Sequence, residues 1–141
     1  MAQAGHAPGF RRRIRISPAP GHVLSEVEDD YHCMNVSIHH DNEIAHTVKA
    51  CLTRAPWTTC PGAVAKCEQT FQGVALQGFP ARGDKASNCT HLFDLALLAA
   101  AQRRLGPGLT GFEMMNGFSL ALVARHFAQL HQPLPSGPWT V

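Results

Sequence analysis

The fold class is decided by residues 22–52, which read HVLSEVEDDYHCMNVSIHHDNEIAHTVKACL. Polar and apolar residues alternate along His22–Asp29 and again along Tyr31–His40, which is the period of a β-strand with one buried face. The apolar face of the second run carries Met34, Val36 and Ile38. We therefore predict two long neighbouring strands.

Two further strands extend this pair. Asp41-Asn42 suits a hairpin turn, and Glu43–Leu52 continues as the next strand. On the other side, Phe10–Ile16 alternates in the same way and ends at a turn in Ser17–Gly21. The expected sheet is an antiparallel meander of three or four strands.

The pattern then changes to that of helices. Cys60–Phe71 is predicted to be a helix, as is Cys89–Leu105 with Asn88 as its N-cap. A last helix is predicted over Ser119–Leu130. Strands followed by helices predict an α+β domain in which the helices pack on one face of the sheet.

Length and composition favour one globular domain. The chain has 141 residues, of which 45% are hydrophobic and 16% charged, and no linker divides it. We expect a single domain over residues 1–141, with loose ends at 1–9 and 133–141. No apolar run reaches membrane length and no signal peptide is recognised, so we expect a cytoplasmic protein.

The charge pattern bears on partners. The net charge is +2, and the basic cluster Arg11–Arg15 is interpreted as an exposed strand edge. No aromatic platform or basic stripe accompanies it, so we expect no nucleic-acid partner. Because no apolar run reaches membrane length, we also expect no membrane partner. A small-molecule substrate is compatible with the sequence. A homodimer stays open, since the apolar segment Phe112–Phe118 could cover a site or a subunit interface.

Cysteine and histidine are the residues most suggestive of chemistry. The odd number and scattered spacing of the five cysteines argue against a disulfide framework, and nine histidines accompany them. Cys60 and Cys89 fall at predicted helix starts, where the helix dipole favours a thiolate. The alternative is that both are buried apolar residues. Cys33, Cys51 and Cys67 are interpreted as core residues.

Two pairs of side chains accompany these cysteines. Asp30 and His32 stand two apart on a predicted strand, so they share a face and could chelate a metal together with Cys60 and Cys89. This set suits one divalent zinc or iron ion per chain. His91 and Asp94 stand three apart on a predicted helix, and we expect His91 to be the acid or base that Asp94 orients.

Three segments resemble a known domain family. Asp29–His32, the stretch Arg54–Ala63 with its CPGA sequence, and Cys89–Leu95 with its CTHL sequence resemble segments of an uncharacterised bacterial domain family, whose members carry CPGA and CTHL in the same order. The resemblance covers roughly residues 22–100 and brings no assigned activity with it.

A more distant likeness is to the iron–sulfur cluster assembly scaffolds of the IscU, SufU and NifU type. In this comparison Asp30-Tyr31-His32 stands where those proteins have Cys-Gly-Asp. Cys60 takes the position of the second cysteine, Gln72-Gly73-Val74 that of a turn, and Asn88-Cys89 that of the last helix start. The resemblance implies an IscU/SufE-like fold, while the Asp and His replacements suit a mononuclear site instead of a cluster.

Several functions stay open at this point. The first is a metal-dependent lyase or hydrolase that acts on a small organic molecule. The second is an iron–sulfur assembly scaffold or a metal carrier. A structural zinc domain and a metal-free thiol enzyme that uses Cys60 or Cys89 with His91 are the remaining two.

Overall fold

The computed structural model describes residues 11–82, 85–103 and 110–115. Its strands are β1 (Arg11–Ala19), β2 (His22–Asp29), β3 (Cys33–Asp41), β4 (Ile44–Arg54) and β5 (Thr110–Met115). Its α-helices are α1 (Gly62–Phe71) and α2 (Thr90–Gln102), and two short 3-10 helices, Leu76–Arg82 and Lys85–Ser87, lie between them.

The sheet is antiparallel throughout, in the order β4-β3-β2-β1-β5. The first four strands form the predicted meander. The turn between β3 and β4 is made by Asn42 and Glu43, both with positive φ (47° and 65°), which suits the twist of a two-residue hairpin. The fifth strand is not among the predicted elements, and its place beside β1 means that the Arg11–Arg15 segment is not a sheet edge.

Both helices pack against one hydrophobic core on one face of the sheet, which confirms the predicted α+β class. α2 lies across β1, β2 and β3, while α1 lies against β4. Phe71 stacks on Phe79 at 4.4 Å between ring centroids and contacts Phe93 at 5.1 Å, so these rings join α1, the first 3-10 helix and α2. The strands contribute fully buried side chains such as Ile16, Val36, Ile38 and Val48. Each such burial stabilises the fold by roughly 1.5–3 kcal/mol.

The outer side of β4 is bonded to α1 and to the chain that follows it. The Glu68 carboxylate accepts the Ala50 N–H at 3.1 Å. Ala45 donates its N–H to Val74 O at 3.0 Å and accepts the Gly73 N–H at 2.7 Å. Gly73 has a φ of 78°, a left-handed conformation that glycine adopts at low cost. The chain after α1 therefore runs back along β4.

Several helix and strand limits differ from the prediction. The N-cap of α2 is Cys89 and not Asn88, because the Asn88 side chain donates instead to Thr70 Oγ1 at 3.0 Å. α1 begins at Gly62 after an N-cap at Pro61, so Cys60 precedes the helix. The predicted helix 119–130 and the ends 1–9 and 133–141 lie outside the described residues.

The three cysteines interpreted as core have different environments. Cys67 is fully buried, as predicted. Cys51 is exposed and Cys33 is half-buried, so for these two the prediction is wrong. Both lie on the face of the sheet that points away from the helices, because Cys33 pairs with Glu28 and Cys51 with Asn35.

No helix within residues 11–82 and 85–103 has the length and hydrophobicity needed to cross a membrane.

Candidate functional site

The candidate site is built around Asp29, the last residue of β2. The alternation that buries Val23 and Val27 also turns Asp29 towards the helices, and its side chain has no exposed surface. Arg12, its register partner on β1, donates Nε to Asp29 Oδ2 at 2.7 Å. Asp29 Oδ1 accepts the backbone N–H groups of Tyr31 and His32, each at 2.8 Å.

His32 adds a further hydrogen bond to the same carboxylate. Its Nδ1 lies 2.9 Å from Asp29 Oδ1 and 3.1 Å from Oδ2. An ionised carboxylate only accepts hydrogen bonds, so Nδ1 carries the proton and the unprotonated Nε2 is the nitrogen that can accept a hydrogen bond or a proton. Asp29 therefore fixes both the tautomer and the orientation of the His32 ring.

The carboxylate is held in its charged form. Burial alone raises the pKa of Asp29, but hydrogen bonds from His32, from the Tyr31 N–H and from Arg12 outweigh burial and keep the pKa below its ordinary value. An ionised Asp29 is what an orienting acceptor for His32 requires.

His91, in the first turn of α2, faces His32. The two ring centroids are 4.0 Å apart and the ring planes are tilted by 40°. Burial, followed by the positive fields of His32 and Arg12, lowers the pKa of His91 to about 4. His91 is thus neutral at pH 7, with one ring nitrogen able to donate a hydrogen bond and the other to accept one.

A small open hollow adjoins His91. Its polar groups come from three side chains and its walls are aliphatic; it is lined by Arg12, Ile14, Val27, His91, Asp94, Leu95 and Leu98. The Asp94 carboxylate accepts a hydrogen bond from the Lys85 ammonium group at 2.7 Å. In the described part of the chain no hydrogen bond joins Asp94 to His91, so the orienting carboxylate in this cluster is Asp29, which acts on His32.

Asp30 does not share the environment of His32. The sequence pattern puts the two on one strand, but β2 ends at Asp29 and β3 begins at Cys33, so residues 30–32 form a turn. The strand alternation does not hold across this turn. Asp30 is exposed, while His32 turns back onto Asp29.

The two predicted cysteine ligands lie on different elements. Cys60 lies in the turn before α1, and its N–H donates to Trp57 O at 3.2 Å. Cys89 is the N-cap residue of α2, and its partly buried side chain packs against the hydrophobic core. Burial, followed by Cys89 and Glu68, raises the pKa of Cys67 to about 12, so Cys67 stays a thiol.

Among the residues that the structure describes, no three His, Cys, Asp or Glu side chains gather in an arrangement able to hold a metal ion. His32 and His91 come together, but Asp30, Cys60 and Cys89 do not join them as one set. The predicted four-ligand metal site stays a prediction.

Sequence reasoning did not identify Asp29 and Arg12. A signal for both was present, because Asp29 continues the inward series Val23, Ser25 and Val27 on one strand. Arg12 likewise precedes Ile14 and Ile16 at a spacing of two. A charged residue at an inward-facing position of a strand requires an oppositely charged partner.

Comparison with known proteins adds no relative: no protein-family model, no curated protein and no solved structure matches this chain.

Proposed function

We propose that this chain is an enzyme that carries out acid–base catalysis on a small organic molecule, with His32 as the group that transfers the proton. The proposal rests on one observation above others. The buried Asp29 carboxylate orients His32, whose ring lies 4.0 Å from that of His91, and His91 in turn lines a small hollow.

Each residue has a distinct role in this proposal. Asp29 holds Nδ1–H of His32 and stabilises the imidazolium that forms when Nε2 takes a proton. The neutral His91 offers a hydrogen bond to the reacting molecule without a competing charge. A lyase would use His32 to remove a proton from carbon, and a hydrolase would use it to activate water.

The cluster contains more than a structural ion pair requires. Arg12 and two backbone N–H groups already satisfy most of the acceptor capacity of Asp29. Burying two further histidines beside Asp29 carries a desolvation penalty. Apolar residues would fill the same volume at a lower free energy. An excess of oriented, titratable groups beside a hollow is typical of active sites.

Kinetics on variants test the proposal once a panel of small esters, amides and hydroxy acids has given a turnover signal. His32→Ala is expected to lower kcat by about 10²–10⁴-fold, the usual contribution of a positioned acid or base. The matched control is His46→Ala, which removes an exposed histidine on β4. A His32→Ala enzyme with kcat within twofold of wild type would exclude this role.

A spectroscopic measurement tests the geometry independently of any substrate. In a long-range ¹H–¹⁵N correlation spectrum of the imidazole groups, His32 should carry its proton on Nδ1 and His91 should stay neutral at pH 6. Asp29→Asn should alter the His32 signal. A His32 ring protonated on Nε2 alone would contradict the assigned hydrogen bond.

A metal centre is the second candidate function. The observation in its favour is the same Asp29–His32 bond, because metal-binding histidines usually donate their second nitrogen to a carboxylate or carbonyl. His32 would supply a nitrogen ligand, with Asp30, Cys60 and Cys89 as the additional ligands that the sequence suggests. A bound zinc or iron would act as a Lewis acid or would lower the pKa of bound water.

Elemental analysis and an absorption spectrum of tag-free protein test this second candidate. About one zinc or iron per chain would support it, and the site is then assigned by which variants lose the metal. Loss in Cys60→Ala and Cys89→Ala with retention in His91→Ala would match the predicted ligands. A brown protein with two irons and sulfide would favour the assembly-scaffold function.

A further inference from the structure

A second pair of histidines lies on the face of the sheet that points away from the helices. His22, the first residue of β2, pairs with His39 near the end of β3. Each alternates with residues that are buried on the helix side, such as Val23 and Ile38. The two imidazoles therefore leave the sheet on the same outer face, at directly opposite positions of neighbouring strands.

The two rings of this pair are in direct contact. Their centroids are 4.4 Å apart and their planes are inclined by 29°. With metal–nitrogen bonds of about 2.0–2.1 Å, two imidazoles bound to one ion at right angles or tetrahedrally have centroids roughly 4.5–5 Å apart. The observed separation is close to this range, and His39 is exposed, so a small rotation of its ring closes the difference.

A third side chain holds the ring of His22. Its Nε2 lies 2.8 Å from the hydroxyl oxygen of Ser37, which is on the same face of β3. When this hydroxyl accepts the Nε2–H, Nδ1 of His22 carries the unprotonated lone pair that a metal ion requires. Metal-binding histidines usually engage their second nitrogen in a hydrogen bond of this kind.

The donor atoms determine the class of ion. Neutral imidazoles suit Zn²⁺, Ni²⁺ and Cu²⁺, whereas Mg²⁺ and Ca²⁺ prefer oxygen ligands. Among residues 11–82, 85–103 and 110–115 no third His, Cys, Asp or Glu completes the set. Water would therefore fill the remaining coordination positions, and the ion would stay in contact with solvent.

We propose that His22 and His39 form a binding site for one divalent transition-metal ion on the outer face of the sheet. This site is separate from the Asp29 cluster. His22 and Asp29 are the two ends of β2, which puts them roughly 24 Å apart on opposite faces of the sheet. The inference goes beyond the proposed acid–base function and does not depend on it.

Physical location of the ion is the first test, with Ni²⁺ as a paramagnetic probe. Tag-free protein is titrated with NiCl₂ in a buffer without chelators, and ¹H–¹⁵N correlation spectra are recorded. Substoichiometric Ni²⁺ should broaden the amide signals of residues 21–23 and 38–40 first, while those of residues 29–33 stay sharp because the broadening falls steeply with distance. Calorimetry should give about one ion per chain, and Mg²⁺ should bind in neither measurement.

Variants assign the ligands. His22→Ala and His39→Ala should each weaken Ni²⁺ binding by at least about 10-fold, because the second imidazole binds as an intramolecular ligand. His39→Phe keeps an aromatic ring against His22 but has no nitrogen, and it should lose binding to the same extent. Ser37→Ala should weaken binding by about 10-fold, the usual effect of removing a group that orients a ligand. The control is His46→Ala, which removes another exposed histidine and should bind as wild type does.

Two sets of results would overturn the site. Wild-type affinity in His39→Phe would mean that the pair is a stacked contact only, and an equal loss in His46→Ala would mean that Ni²⁺ binds to exposed histidines without selection. Absence of binding at about 1 mM Ni²⁺ would lead to the same conclusion.

The spectra also separate this site from the other proposals. If residues 29–33 broaden first and Cys60→Ala abolishes binding, the ion belongs to the candidate metal centre at His32, and the site at His22 and His39 is wrong. Broadening confined to residues 21–23 and 38–40, in a protein whose His32→Ala variant keeps full activity, would uphold this site while the catalytic role of His32 fails.

Discussion

At the scale of single residues, two neighbouring carboxylates have opposite environments. Asp29 is buried and accepts hydrogen bonds from Arg12, His32 and the following backbone. Asp30 is exposed on the turn. The difference follows from the end of β2, since Asp29 is the last residue to obey the alternation of the strand.

Asp29→Asn should destabilise the protein while Asp30→Asn should not. The first change leaves Arg12, whose side chain is 19% exposed, without its counter-charge. We expect a loss of about 3 kcal/mol, at the lower end of the effect of breaking a buried ion pair. Asp30→Asn should stay within about 0.5 kcal/mol of wild type. Urea unfolding at pH 7 measures both, and equal stabilities would show that the Asp29 cluster contributes nothing to the fold.

Ser25→Ala should stabilise the protein. Ser25 is fully buried, and its hydroxyl has no hydrogen-bond partner among the described residues. Removing an unsatisfied buried hydroxyl should raise the free energy of unfolding by about 1 kcal/mol. Ser37→Ala is the contrasting variant, because the Ser37 hydroxyl bonds to the His22 ring at 2.8 Å. Thermal unfolding should show a higher midpoint for Ser25→Ala alone.

At the scale of elements, the sequence predicts what local periodicity encodes. His22–Asp29 is a strand with the predicted limits, and Met34, Val36 and Ile38 are buried on one face as expected. The fifth strand, Thr110–Met115, is not predicted, because its pairing with β1 depends on a contact about a hundred residues away. Likewise, Asn88 is not the N-cap, since a tertiary bond to Thr70 holds its side chain.

Two glycines at opposite ends of α1 should respond differently to alanine. A Cβ added at Gly62 would meet no atom within 4 Å, and the φ of Gly62 is not positive, so Gly62→Ala should be neutral or should stabilise by up to about 0.5 kcal/mol. Gly73 has a φ of 78°, so Gly73→Ala should cost about 1 kcal/mol. Chemical unfolding of both variants tests this, and equal effects would contradict the left-handed conformation of Gly73.

At the scale of the whole molecule, the site lies where distant segments meet. Arg12 comes from β1, Asp29 from the end of β2, His32 from the following turn and His91 from α2. The sequence identifies His32 and His91 as candidate functional residues. It does not indicate that they face each other, because that contact depends on how α2 packs across three strands.

Stability should fall as the pH drops from 6.5 towards 4. In this window the unfolded chain protonates His91 near its ordinary pKa of 6.5, while the folded protein, with a His91 pKa of about 4, does not. The unfolded state thus binds more protons, and the free energy of unfolding rises with pH. Burial and the neighbouring histidines also lower the pKa of His22. His22 therefore also makes the free energy of unfolding fall as the pH drops.

Asp29 affects stability at lower pH than the histidines do. The stabilisation that its ionised carboxylate gives the fold is lost only as the pH falls through the lowered pKa that Asp29 has in the folded protein. Unfolding midpoints measured from pH 7.5 to 4 should therefore fall less steeply in His91→Gln than in wild type. Parallel curves for the two proteins would contradict the lowered pKa of His91.

The bonding along the outer side of β4 also bears on how the folded protein behaves at high concentration. An open strand edge offers a row of free N–H and C=O groups on which a strand from another molecule can add. Here the Ala50 N–H is hydrogen-bonded to the Glu68 carboxylate. The chain from Gly73 to Leu76 forms hydrogen bonds with the N–H and carbonyl of Ala45 and with the Glu43 carbonyl. The carboxylate of Glu68 also places a charge where an incoming strand would have to lie. At these positions β4 is thereby protected against strand addition and the aggregation that follows from it.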